Sequence, residues 1–282
     1  MTATLTPPAP RRGVSTTLLN GAAGFWWLTA ILGQWAFLYY ILSFYGASSV
    51  SGDFEVWNRL KALGRTPYVA GDTAGNLAFL GHALAAGIIA FGGALQLVPG
   101  LRARFPAFHR WNGRLFLLTV TGLSLSGFYL VWVRGTSPDS LNALSTTVNG
   151  VLILTFAGLA LRAAMARDIA VHRRWAMRLY LVSNAQWFLR VGVFAYFVVN
   201  MGLGVKVKSG DPFLSFWVPG CYLVPLAVLE VYLRAKDRAG PMGRTAVAVG
   251  LIVLTLLMAA GALAFSVFSL KIASGAPLDF PG

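Results

Sequence analysis

The chain has 282 residues, 57% of them hydrophobic and only 11% charged, against roughly 25% charged in soluble domains, so an ordinary soluble domain is excluded. Its net charge of +14 is gathered in short stretches between apolar runs, which reports orientation in a bilayer and implies no nucleic acid. The single cysteine, Cys221, excludes an intramolecular disulfide, a CxxC pair or a thiolate metal cluster.

Residues 1–20 read as a polar tail, followed by a first apolar run over 21–45 that is too long for a removed signal peptide. Residues 46–76 form the one long loop, in which "FEVWNRLKAL" spaces Phe54, Trp57, Leu60 and Leu63 at helical intervals. This predicts a short amphipathic helix on the outer surface. Further runs follow at 77–98, 115–133, 141–165, 179–200, 214–233 and 245–270, each long enough for a hydrocarbon core of about 30 Å. The expected fold is all-α, a polytopic membrane bundle of about seven transmembrane helices. Residues 201–282 hold the sixth and seventh helices and an external C-terminus.

The tail and the turns after the second, fourth and sixth runs carry 15 of the 23 basic residues. That asymmetry puts the N-terminus in the cytoplasm of a bacterial inner membrane and the C-terminus outside. Tryptophans 26, 27, 35, 57, 111 and 175 fall near predicted interfaces, as an aromatic belt does.

Two of the basic turns repeat. Residues 103–115 read "ARFPAFHRWNGRL" and residues 166–179 read "ARDIAVHRRWAMRL", the second copy with one residue inserted. The offset of 63 residues also carries Gly87 onto Gly150. Segments 77–133 and 141–200 thus read as two copies of one helical hairpin, making 77–200 a duplicated four-helix core with a pseudo-twofold along the membrane normal.

The run H-R-R-W-x-M-R-x-Y at His172, Arg173, Arg174, Trp175, Met177, Arg178 and Tyr180, with Leu189 and Arg190 further along the helix, resembles a family of uncharacterised bacterial membrane proteins catalogued as domain of unknown function 2306. The earlier turn matches at His109, Arg110 and Arg114, with His82 upstream. The likeness covers the second to fifth runs and departs from the family in "LVSNAQW", where small apolar residues and threonine are expected. It implies a helical membrane fold and no established activity. A weaker likeness to the cytochrome b561 family implies histidine pairs from alternate helices, but the repeat mate of His82 is Ser145 and so at most one such pair is complete.

Two candidate sites follow. The repeat equates His109 with His172, and two imidazoles meeting across a twofold at the cytoplasmic side would hold one b-type haem. The competing reading of both is a solvated histidine beside interfacial arginines. His82 and Arg190 fall at similar depth on the outer side, with the small residues Ser145 and Ser126 at the equivalent repeat positions. An arginine inside a span costs at least about 2.5–3.5 kcal/mol, so it is expected to face the bundle interior and hold a counter-charge, through a bound anion or through Asn149, Asn184, Gln186 or Asn200. Glu230, the one acid in a span, is expected to pair with Arg234 one turn away.

There is no HExxH, GxSxG, P-loop or paired-acid motif, so no hydrolytic class is indicated. Three expectations remain: a redox protein with one haem b, a protein that binds or translocates a small anionic or amphiphilic molecule through His82 and Arg190, and an assembly or accessory subunit. All three place it in the lipid bilayer.

Overall fold

A computed structural model describes residues 13–63, 67–208 and 210–276. Among them all regular structure is helical: α1 (Val14–Ile41), α2 (Ala47–Ser51), α3 (Thr73–Gln96), α4 (Pro99–Arg104), α5 (Pro106–Phe128), α6 (Ser140–Met165), α7 (Ile169–Ser183), α8 (Ala185–Gly202), α9 (Pro212–Arg238) and α10 (Pro241–Ser274). α1 continues through a π-helical turn into α2, and α5 ends in another such turn over Tyr129–Val133. Six helices are long and apolar enough to span a bilayer, and α7 with α8, bent by 59°, counts as a seventh if the pair is one broken span. The chain is therefore a polytopic helical membrane protein of six to seven spans. Large apolar side chains stay exposed along the spans, Leu118 at 73% and Leu263 at 69% among them, as a lipid-facing surface requires.

Aspartates start the helices. Asp72, Asp139, Asp168 and Asp211 each accept a backbone N–H in the first turn of α3, α6, α7 and α9, satisfying an otherwise orphaned donor. With only nine acids in the chain, four caps leave few carboxylates for chemistry. Two others sit in ion pairs between helices, Glu230 with Arg178 and Asp237 with Arg174. The expected Glu230–Arg234 pair is thus replaced by one that ties α7 to α9.

α10 lies between α1 and α8. Gly261 of α10 meets the Val191 carbonyl and the Ala195 backbone of α8 with no room for a side chain, the close approach small residues permit. Gly33 of α1 packs against Trp187 and Ala262. The principal apolar core runs from Phe37, Tyr40 and Phe44 of the first span to Phe188 and Phe265, and a smaller one joins Leu19, Ala22, Ala235, Ala248 and Leu251 at the basic end.

The loop after α2 differs from its expectation. Residues Phe54–Leu63 form a 3-10 helix, and Trp57 is 1% exposed. Its indole donates to Ser48 Oγ at 2.7 Å and its ring packs edge-on against Tyr45. Trp57 is a core residue of the bundle, and the belt reading fails for it. Arg59 donates to the carbonyls of Ile272 and Ala273, fastening the segment to the end of α10, where a cation complements the helix dipole.

The break between α7 and α8 falls inside "LVSNAQW". The backbone N–H of Asn184 bonds Leu181 O, and its side-chain amide donates to Tyr180 O at 2.7 Å. In a continuous helix that carbonyl would take the backbone N–H of residue 184. The side-chain amide, together with the Ser183 hydroxyl at 3.1 Å, takes its place, so the Tyr180 carbonyl stays satisfied at the bend in a medium without water.

Candidate functional site

His82 sits nine residues past the start of α3, about 14 Å along the axis, deeper than an onset at residue 77 suggests because α3 begins at Thr73. Its Nδ1 lies 2.9 Å from Ser126 Oγ on α5. Across the bundle, Arg190 is twelve residues from the end of α8, about 18 Å along that axis. The two come within electrostatic reach of each other, and Cys221 of α9 lies within reach of the same guanidinium. The contact made directly is between His82 and Ser126, anticipated as a small pocket residue, while Arg190 acts on the imidazole only through its charge.

The guanidinium of Arg190 lies 5.3 Å from the centroid of Phe37, a buried ring of α1. Its Nη1 donates to Gln186 O at 2.6 Å and approaches Gln186 Oε1 at 3.4 Å. Of the four amides considered as partners, Gln186 takes the role. Asn184 and Asn200 donate to carbonyls of their own helices, and Asn149 presents a buried Oδ1 with no partner among the described residues. One turn before Asn149 on the same helix, Ser145 Oγ reaches Val218 O and Tyr222 Oη. Ser145 therefore faces α9 and is not bonded to His82.

His109 and His172 occupy equivalent places. Each is the fourth residue of its helix, and its backbone N–H closes the first turn on the residue before that helix, Phe105 for one and Asp168 for the other. The two lie within electrostatic reach of each other. His172 Nδ1 is 2.9 Å from Ala160 O, while the backbone carbonyl of His109 accepts from Gln96. Beside each histidine an arginine stacks on a tryptophan, Arg114 on Trp111 and Arg178 on Trp175, both at 4.7 Å.

A cavity of about 580 Å³ lies elsewhere, among α1, α7, α8, α9 and α10. Sequence reasoning missed it because its walls are apolar residues indistinguishable from core. Neither histidine of the basic end borders it, and neither do His82 and Arg190.

No curated protein and no solved structure matches the chain, and the cytochrome b561 likeness gains no support. Residues 79–228 match the family described as predicted membrane protein, DUF2306. The match spans just over half of the chain and runs from α3 into α9, taking in His82, His109, His172, Arg190 and Cys221. The chain belongs to the DUF2306 family of predicted membrane proteins.

Proposed function

We propose that the protein binds, and in a transport cycle passes, a small anionic or amphiphilic molecule at the cluster of His82, Ser126 and Arg190. The observation that carries this is the imidazole–hydroxyl contact between α3 and α5, with the guanidinium of α8 set against Phe37 and within electrostatic reach of that imidazole. A guanidinium offers a fork of donors matched to a carboxylate or phosphate, and a half-buried cation within a span is retained at a cost that binding offsets. The bend at Asn184 supports the same reading, because broken helices in membrane proteins mark the lining of a cavity or path.

The finer architecture belongs to this proposal. The matched positions of His109 and His172 and the two Trp–Arg stacks support a duplicated core over 77–200, repeats 77–133 and 141–200. The basic turns orient the chain with residues 1–20 in the cytoplasm of an inner membrane and the C-terminus outside.

The test is thermal stabilisation of the detergent-purified protein by sodium laurate and, separately, by inorganic phosphate. Laurate at millimolar concentration should raise the melting temperature by several degrees. Arg190→Ala should abolish the rise, and Arg190→Lys should keep part of it. If neither probe shifts the wild-type protein, or the Arg190→Ala variant responds like it, the reading is overturned.

A second reading rests on His172, whose Nδ1–H on the Ala160 carbonyl leaves Nε2 available, the orientation that metal-ligating imidazoles have. With His109 within reach, the pair would hold one haem b. Protein from haem-replete cells should then show a Soret band that His172→Ala removes, and a colourless preparation overturns it.

A further inference from the structure

The 580 Å³ cavity lies between the two apolar cores, and Trp26, Val228 and Tyr232 border both it and the smaller core. Its volume falls within the range of roughly 300–1,000 Å³ typical of ligand pockets. The polar atoms of two wall residues are turned away from it. Trp27 Nε1 donates to Ala94 O and Trp217 Nε1 to Phe188 O, so both present aromatic faces. Gly24 lines the cavity and is itself exposed, and a Cβ built on it would meet nothing within 4 Å, so the space continues to the protein surface beside α1.

The end nearest the basic turns has a different character. Asn20 and Tyr232 line it. Lys236 Nζ lies 5.7 Å from the centroid of Tyr232. One turn before Asn20, Thr16 Oγ1 accepts from Arg244 Nη1 at 3.0 Å. Arg244 Nε is buried with no partner among the described residues. A guanidinium with an unused buried donor and a lysine thus flank one end of a long apolar space that starts at the membrane surface.

We infer that this cavity takes one anionic phospholipid from the leaflet on the basic side, with an acyl chain between α1, α9 and α10 and its phosphate against Arg244 and Lys236. The occupant must be apolar over most of its length, because beyond Asn20 and Tyr232 the walls are mostly aliphatic and aromatic, and Tyr180 Oη there already accepts from Gln34 Nε2 at 2.8 Å. It must be anionic at the other end, since Arg244 and Lys236 stand there, while Asp237 and Glu230 of α9 are already paired with Arg174 and Arg178. Basic side chains at a membrane surface attract anionic lipid headgroups. This site is separate from the cluster at His82 and Arg190 and stands or falls without it.

Native mass spectrometry tests the inference on full-length protein extracted from nanodiscs of equal phosphatidylglycerol and phosphatidylcholine. The wild-type protein should retain about one phosphatidylglycerol per chain through mild activation. Gly24→Phe, which fills the opening, and Arg244→Gln should each lower retention at least fivefold. Lys236→Gln, at an exposed position, should lower it in part and serves where Arg244→Gln fails to fold. Equal retention of the two lipids, retention unaffected by Gly24→Phe, or an empty wild-type protein overturns it. If deleting residues 1–12 raises retention severalfold from near zero, the chain's own tail fills the cavity, which also overturns it.

Discussion

Arg178 and Glu230 form an ion pair at 2.7 Å that joins α7 to α9, two of the helices that line the 580 Å³ cavity. The arginine side chain is 18% exposed and the carboxylate 39%, so the pair sits at the periphery of the bundle and not in its centre. Pairs of that exposure contribute about 0.2–1 kcal/mol. A double-mutant cycle of Arg178→Gln and Glu230→Gln should give a coupling energy near the top of that range, falling as salt is raised. A coupling with Arg234 instead would show that the pair along α9 is the operative one.

The sequence carried the number and order of the spans, because length and apolarity alone decide them, and the matched turns at His109 and His172, because the same residue types recur at a fixed offset. It also placed His82 and Arg190 at one depth, since helical rise converts residue count into height. Rotation about each axis was not legible in the same way. Ser145 points to α9 and Ser126 to His82, a distinction that a repeat offset does not encode. Glu230 found Arg178 and not Arg234 for a related reason, since a partner on a neighbouring helix leaves no spacing signal. Asn184 was visible as a departure from the family pattern and as a candidate partner of Arg190, but its effect depends on which carbonyl its amide reaches.

Trp57 measures how firmly the outer segment is seated. Its ring is fully enclosed by Tyr45, Phe54, Tyr68 and Phe79. Trp57→Ala should destabilise the protein by about 3–5 kcal/mol, read as a loss of melting temperature in detergent. Trp57→Phe should lose less, keeping most of the packing while giving up the bond to Ser48. A change near zero for Trp57→Ala would mean that the segment lies loosely on the surface.

Asp72 couples the start of α3 to the far end of the next span. It accepts from Gly75 N and from Arg134 Nε, whose side chain is 6% exposed. The Gly75 amide first, and then Arg134, hold its carboxyl below the ordinary value of 3.8. A folded-state value below the unfolded one means that the stabilisation is complete above the ordinary value and is lost as pH falls through the lowered one. Asp139 is lowered in the same sense by the amide and side chain of Asn142. The melting temperature should therefore fall steeply as the solution is taken below pH 3.8. Asp72→Asn and Asp139→Asn should each flatten that fall, additively, because they cap different helices. An unchanged acid profile in the double variant would assign the fall to other groups.

Asn184 controls where Arg190 stands. The asparagine is 4% exposed, and its amide supplies the donor for Tyr180 O at the 59° bend. Asn184→Ala takes the shorter of two side-chain donors from that carbonyl, leaving the Ser183 hydroxyl at 3.1 Å, unless residue 184 rejoins a continuous helix. The first outcome costs about 0.5–1.5 kcal/mol. The second straightens the span and rotates α8, carrying the guanidinium off Phe37 and away from His82. Either way, the stabilisation by laurate should drop at least as much in Asn184→Ala as in Arg190→Lys, although the arginine is intact. A variant that keeps the full laurate response with wild-type melting temperature would separate the bend from the anion site.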